Sequence, residues 1–216
     1  MSIAWRTQDP PGERIIVSFV TLRRIVGALG MALPFAVMIE TWVETRSFAI
    51  LPSISASYDH QARDLFVGIL FTIAWFLGVY RGHERKDELA GNAACVFALG
   101  VALVPYDAPG YLWAFHYLFA TALFLTLAYF SMRLFTKTGG TPDQMTAMKV
   151  KRNKLYLTCG WVMLGAIVAM VVYTVTGARF TLGPVPVIFL LETVALEAFG
   201  ISWMVKGETL WKDRGT

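Results

Sequence analysis

The sequence predicts an all-α polytopic membrane protein, with six transmembrane helices in one bundle and both termini in the cytoplasm. Of its 216 residues, 56% are hydrophobic and only 16% are charged, whereas soluble domains average about 45–50% apolar and about 25% charged. A globule of this size cannot bury so much apolar surface and keep a solvated exterior. Apolar runs such as Phe66–Tyr80 and Leu155–Val175 are continuous, whereas a β-barrel strand alternates over about ten residues. These observations disfavour a soluble enzyme and exclude a disordered chain.

Six segments approach the length of about 20 apolar residues that crosses a bilayer. The predicted spans are residues 25–42, 62–80, 88–104, 111–132, 155–176 and 184–205. The stretch before the first span is polar, and no cleavage-site pattern follows that span, so we expect the first helix to remain in the mature protein. The whole chain, residues 1–216, is therefore predicted to be a single transmembrane domain.

The distribution of Lys and Arg predicts the orientation, because basic residues concentrate in cytoplasmic segments. Sixteen of the 19 basic residues lie in one alternating set of segments: Arg6, Arg14, Arg23, Arg24, Arg81, Arg85, Lys86, Arg133, Lys137, Lys149, Lys151, Arg152, Lys154, Lys206, Lys212 and Arg214. The other three are Arg46, Arg63 and Arg179. The pattern predicts a multi-pass protein of the inner (plasma) membrane, with a cytoplasmic loop at residues 136–153.

The net charge of +4 is explained by contacts with anionic headgroups at the cytoplasmic face, so membrane lipids are the expected partners and nucleic acid is not. Cys95 and Cys159 lie inside predicted spans and are expected to be free thiols. The chain has no CxxC or glycine-rich nucleotide pattern, and we predict no cofactor. The sequence leaves open whether the protein forms a homo-oligomer or binds another protein.

Ionisable residues inside a span are costly and often mark a functional site. Glu192 and Glu197 lie in the sixth predicted span, about 140° apart around a helix, so each needs its own partner. The expected partners of Glu192 are Glu40, Asp64 and His116, which lie towards the outer ends of their spans.

The first outer loop, residues 43–61, concentrates further polar groups. Together with the neighbouring helix ends it supplies the residues of a predicted polar pocket that opens outward: Ser53, Ser55, Asp59, His60, Arg63, Asp64, His116 and Glu192. We expect this pocket to bind or sense a lipid or another small amphiphile. The same residues would equally serve as helix caps and packing contacts.

An intramembrane lipid hydrolase, either metal-dependent or serine-dependent, is the alternative function, and a proton-coupled transporter is the third. Only three histidines are present, and His83 is predicted to lie on the other side of the membrane from His60 and His116. No metal is predicted, and His60, His116 and Glu192 are only weak candidate ligands.

A serine-dependent reaction would use Ser53 or Ser55 with His60 or His116, and with Asp59 as the orienting carboxylate. The Gly-x-Ser-x-Gly pattern that presents many nucleophilic serines is absent.

Two compositional patterns predict packing. Small residues fill the third span, including Gly91, Ala94 and Gly100, which predicts a central helix in the bundle. Aromatic residues near the span ends are expected to anchor the protein at the membrane interface; they are Trp42, Tyr80, Tyr111, Trp113 and Trp203.

The motif Pro52-Ser53-Ile54-Ser55 in an outer loop, with six helices, resembles the DRAM-type family of damage-regulated autophagy modulators and their relatives. The family usually continues with Asp-x-Gly and a proline pair, where this chain has Ala56-Ser57-Tyr58-Asp59. The chain is also similar to uncharacterised bacterial six-helix integral membrane proteins with a Ser-Ile-Ser outer loop. The matching segments are Ser53–Ser55, Arg63–Gly68 and Ala198–Glu208. The resemblance implies a six-helix fold and no particular activity.

Overall fold

The protein is described by a computed structural model, which covers residues 11–48, 50–80, 84–137, 146–178 and 180–209, with side chains from residue 20 onward. Its helices are α1 (Pro11–Thr45), α2 (Ala62–Gly78), α3 (Arg85–Leu103), α4 (Leu112–Tyr129), α5 (Ala147–Val175) and α6 (Val187–Lys206). A 3₁₀-helix (Ser55–Asp59) lies between α1 and α2, and a π-helical turn (Phe130–Leu134) continues α4. A two-stranded antiparallel hairpin, β1 (Thr181–Leu182) and β2 (Val185–Pro186), connects α5 to α6.

Four helical segments are long and apolar enough to cross a membrane: Val20–Thr45, Leu112–Leu134, Ala147–Val175 and Val187–Lys206. They confirm the prediction of a helical membrane protein. The other two predicted spans correspond to weaker candidates for a physical reason. Helix α2 has only 17 residues, and α3 begins with the charged sequence Arg85-Lys86-Asp87-Glu88. The crossing of the membrane by these two helices stays a prediction.

The packing partners of the six helices form a closed cycle, because each helix contacts its neighbours along the chain and α6 packs against α1. Gly27 and Gly200 allow the α1–α6 contact to be close: a Cβ on Gly27 would lie 2.8 Å from the Gly200 carbonyl oxygen.

The prediction that the third helix is central was wrong, since α3 packs mainly between α2 and α4. Its small residues permit close approach to those neighbours, as at Gly91, where a Cβ would lie 2.7 Å from the Leu77 carbonyl oxygen.

Aromatic rings fill the interior of the bundle at the end where α2 finishes and α3 begins. The aromatic cluster consists of Tyr80, Phe130, Phe135, Tyr156, Phe199 and Trp203. The Trp203 ring centroid lies 5.3 Å from that of Phe135 and 5.5 Å from that of Tyr80. The interface-anchor prediction was therefore wrong for Tyr80 and Trp203, which are buried. Trp42, Tyr111 and Trp113 do have exposed rings.

Helix α5 begins at Ala147, eight residues before its predicted start, because the Thr146 hydroxyl accepts a hydrogen bond from the Lys149 amide and caps the first turn. The last part of the predicted loop 136–153 is therefore helical.

Several residues used in the sequence analysis lie outside the described part of the chain: Arg6, Arg81, His83, Arg179, Lys212 and Arg214.

Candidate functional site

Loop 1, described at residues 46–48 and 50–61, folds into the end of the bundle where α1 and α3 finish; we call this the loop-1 end. Its apolar side chains Leu51, Ile54 and Ala56 are buried in the core. A short 3₁₀-helix, Ser55–Asp59, buries its first three residues, Ser55, Ala56 and Ser57, against the bundle and leaves Asp59 exposed. Burial of these side chains places the polar groups of loop 1 against helix ends that are distant in the sequence.

Ser55 and His116 form a buried hydrogen-bonded pair. His116 Nε2 lies 2.9 Å from Ser55 Oγ, and His116 Nδ1 lies 2.6 Å from the Val104 carbonyl oxygen. A carbonyl oxygen only accepts hydrogen bonds, so in the neutral imidazole the proton is assigned to Nδ1. Nε2 is then the acceptor, and the Ser55 hydroxyl donates to it.

Glu192, in the second turn of α6, accepts a hydrogen bond from the backbone of loop 1. The Ile54 amide donates to Glu192 Oε2 over 2.5 Å. Within the described part of the chain this amide is the single hydrogen-bond donor to Glu192, so Glu40, Asp64 and His116 are not its partners as expected. The expectation considered only side chains, whereas the nearest donor belongs to the backbone.

Two tyrosines connect loop 1 to the end of α3 and the loop that follows it. The Tyr58 hydroxyl donates to the carbonyl oxygens of Val101, over 3.1 Å, and Ala102. Burial raises the pKa of Tyr58 to about 12, which the Arg63 guanidinium over its ring opposes only partly. Tyr106 donates to Asp59 over 2.6 Å, and this hydrogen bond is the main reason that the pKa of Tyr106 is raised to about 12.

The remaining predicted site residues lie near the Ser55–His116 pair and Glu192, but among the described residues they form no hydrogen bond with them. His60 Nδ1 lies 3.4 Å from a Glu44 carboxylate oxygen. Ser53 Oγ accepts from the Ala56 amide over 3.0 Å, so it stabilises the turn that enters the 3₁₀-helix. Arg63 and Asp64 are exposed in the first turn of α2.

The predicted residues therefore gather at one end of the bundle but separate into distinct contacts. Ser55 pairs with His116 and Glu192 with Ile54, whereas Asp59 pairs with Tyr106 and not with either histidine. Among the described residues, no group of three or more His, Cys, Asp or Glu side chains is placed to hold a metal ion.

Sequence reasoning missed Tyr58 and the backbone groups of Ile54 and Val104. Tyr58 could have been noticed as the aromatic residue within an otherwise polar loop segment. The backbone donor and acceptor leave no signal in the sequence, because every residue other than proline carries both groups.

Comparisons with family models, with curated proteins and with solved structures found no match to this chain. The resemblance to DRAM-type proteins and to bacterial six-helix membrane proteins thus stays a prediction.

Proposed function

We propose that this membrane protein binds a lipid or another small amphiphile at the loop-1 end, with the Glu192 carboxyl group contacting the polar head of the ligand. The supporting observation is that the Glu192 carboxyl group, which has two oxygens, accepts one hydrogen bond among the described residues, on Oε2. The residue lies about 8 Å along a candidate membrane span. Its side chain is only partly buried by protein and receives one hydrogen bond, from Ile54, among the described residues.

A carboxyl group at this depth needs compensation for lost hydration, and its two oxygens accept more than one hydrogen bond. A ligand whose head carries a hydroxyl or ammonium group would supply the missing donors. Its hydrocarbon tail would lie against the apolar outer surface of the helices, which includes Trp113 and Tyr117 near the start of α4. The proposal therefore favours an amphiphile with a hydrogen-bond donor in its head.

The proposal includes the topology expected from the sequence. All six helices cross the inner membrane, loop 1 faces outward, and the end with the aromatic cluster faces the cytoplasm. The arrangement is supported by the position of the described Lys and Arg residues, of which only Arg46 and Arg63 belong to the loop-1 end.

The test compares two glutamates of the same helix. In Glu192→Gln one acceptor oxygen is replaced by a donor, so binding of a fluorescent monoacylglycerol to the purified protein should weaken about tenfold, as for loss of one hydrogen bond. Glu197→Gln is the matched control: Glu197 lies five residues further along α6, and its binding constant should stay within about twofold of wild type. Equal affinities for wild type and Glu192→Gln would contradict the proposal, provided that the variant elutes as a monodisperse protein.

A second candidate function, hydrolysis of a lipid ester, is favoured by the Ser55–His116 pair. The order of donors and acceptors, from serine hydroxyl to Nε2 and from Nδ1 to an oxygen, is that of a serine hydrolase. The Val104 carbonyl takes the place of the carboxylate in that order. This function ranks second because the amides of Ile54 and Ala56, on either side of Ser55, already donate to Glu192 and Ser53. Neither is available to stabilise an oxyanion.

Fluorophosphonate labelling tests the hydrolase. If Ser55 is a nucleophile activated by His116, the probe should label the wild-type protein and Ser53→Ala, but neither Ser55→Ala nor His116→Ala. Ser53 is a matched control because it lies in the same loop and makes a turn contact of its own. No labelling of the wild type, or equal labelling of Ser55→Ala, would eliminate this function.

A further inference from the structure

A basic cavity lies at the end of the bundle opposite loop 1, between α1, α5 and the end of α6. Its volume is about 190 Å³, and it is lined by Arg23, Lys149, Arg152, Tyr156, Val205, Lys206 and Glu208. Four of these residues are cations and one is an anion, so the formal charge of the lining is strongly positive. The cavity is remote from the residues of the proposed amphiphile site.

Two cations of the basic cavity, Lys206 and Arg23, contact neighbouring groups that carry no charge. Lys206 Nζ donates to the Phe135 carbonyl oxygen over 3.3 Å and lies 5.4 Å from the centre of the Phe135 ring. The Arg23 guanidinium lies 5.5 Å from the Tyr80 ring centre and donates to the Tyr80 hydroxyl over 3.3 Å. The aromatic cluster thus supports these two cations through cation–π contacts without neutralising them.

One buried donor in the cavity lining has no hydrogen-bond partner among the described residues. Arg23 Nε is buried and makes no hydrogen bond within the described part of the chain. A buried donor without an acceptor is costly, and neighbouring like charges repel one another. Both costs would fall if an anion occupied the cavity.

A cation outside the cavity, Lys137, is neutralised by carboxylate partners. Lys137 is exposed at the same end of the bundle and forms ion pairs with Asp87, over 3.0 Å, and with Glu84, over 3.1 Å. Its two carboxylate partners come from the start of α3. In the basic cavity, by contrast, neither Arg23 nor Lys206 forms an ion pair with a carboxylate of the described residues.

We propose that the basic cavity binds a phosphate group. The cavity, with a volume of about 190 Å³, has enough space for a phosphate group. Arginine and lysine together suit phosphate, because the guanidinium offers paired donors and the ammonium a compact charge. The phosphate would belong either to an anionic phospholipid or to a small soluble compound. The exposed apolar side chains of Met148, Val150 and Leu157 on α5 would contact the acyl chains of a lipid.

The test uses two double variants of α5 that remove the same charge. Lys149→Gln with Arg152→Gln changes two residues that line the cavity, whereas Lys151→Gln with Lys154→Gln changes two exposed residues that do not. Binding of phosphatidylglycerol and phosphatidylcholine to the purified full chain is measured by native mass spectrometry. Binding of inorganic phosphate is measured by thermal shift at constant ionic strength.

The wild-type protein should bind phosphatidylglycerol more tightly than phosphatidylcholine, or should be stabilised by inorganic phosphate. The first result would identify a lipid phosphate and the second a soluble one. The cavity double variant should lose about tenfold in affinity, and the control double variant should stay within about twofold. Equal losses in both variants would show diffuse surface attraction and overturn the proposal. A wild-type protein that responds to neither phosphate probe would also overturn it.

A variant that should bind phosphate more tightly keeps the test valid if the cavity double variant fails to fold. Glu208→Gln removes the only carboxylate among the described residues that line the cavity. It should tighten phosphate binding by about threefold, because repulsion between the carboxylate and the phosphate is removed. Unchanged or weaker binding in Glu208→Gln would count against a phosphate in this cavity.

Discussion

Single residues hold loop 1 in place through bonds between side chains and distant backbone groups. The Tyr58 hydroxyl donates to a carbonyl oxygen at the end of α3, and His116 Nδ1 donates to the Val104 carbonyl oxygen. The Glu192 carboxyl group accepts a hydrogen bond from the Ile54 amide. Each contact satisfies a polar group that would otherwise be buried without a partner. The position of the loop therefore depends on a few side chains whose protonation or removal can be tested one at a time.

The first prediction concerns Tyr58 and alkaline pH. Its phenol has a pKa of about 12 in the folded protein, above the reference value of 10.0. Its contribution to the free energy of unfolding is therefore complete below pH 10 and is lost as the pH rises towards 12, because the unfolded chain releases the proton first. The unfolding midpoint in sodium dodecyl sulfate titrations should fall over this range, and should fall less in Tyr58→Phe.

Tyr111→Phe serves as the control for this measurement. Tyr111 is 80% exposed, so its replacement should leave the alkaline fall as in the wild type. A fall of the same size in Tyr58→Phe as in wild type would show that other groups cause it.

At the scale of helices, the second prediction concerns the contact between α1 and α6. A Cβ on Gly200 would lie 2.6 Å from the Gly27 carbonyl oxygen, and one on Gly27 would lie 2.8 Å from the Gly200 carbonyl oxygen. Gly27→Ala or Gly200→Ala should therefore separate the two helices and lower the free energy of unfolding by about 1–3 kcal/mol. Unfolding titrations in mixed micelles would measure this change.

Gly165→Ala is the matched control for the helix contact. Gly165 lies in α5, and a Cβ there would meet no atom within 4 Å. The substitution should be neutral or raise the free energy of unfolding by up to about 1 kcal/mol, because alanine favours the helix. A similar loss of unfolding free energy in Gly27→Ala, Gly200→Ala and Gly165→Ala would mean that the α1–α6 contact is no closer than other helix contacts.

The helices themselves could be predicted from the sequence, because long apolar runs have few other structures available to them. The polar residues of the site were also visible, since Glu192 and His116 interrupt such runs. The pair of Ser55 and His116 was among the combinations that the sequence offered. The contacts of Glu192 with Ile54 and of His116 with Val104 could not be predicted, because those partners contribute backbone atoms. The burial of Tyr80 and Trp203 was not visible either, since an aromatic residue near a span end fits a membrane interface and a protein core equally well.

At the scale of the whole molecule, the third prediction tests whether α2 and α3 cross the membrane. In a background without Cys95 and Cys159, single substitutions at exposed positions, Pro52→Cys, Arg85→Cys and Lys151→Cys, report the two ends of the bundle. A thiol reagent that cannot cross membranes, applied to intact cells or spheroplasts, should label Pro52→Cys only.

Permeabilised cells provide the control, since all three variants should then react. Labelling of Arg85→Cys in intact cells would place the start of α3 on the same side as loop 1. That result would contradict six crossings and leave the four helical segments that are long and apolar enough to cross a membrane.

The closed cycle of helix contacts also determines the order in which the protein can be completed during its synthesis. Each of the helices α1 to α5 contacts the helix that is synthesised next, but the face of α1 at Gly27 is covered only after α6 has been synthesised. Loop 1 waits for the same helix, because Ile54 finds its partner on α6. The nascent chain therefore carries an unfinished loop-1 end until α6 has been translated, and the cycle of helix contacts and the candidate site are completed together.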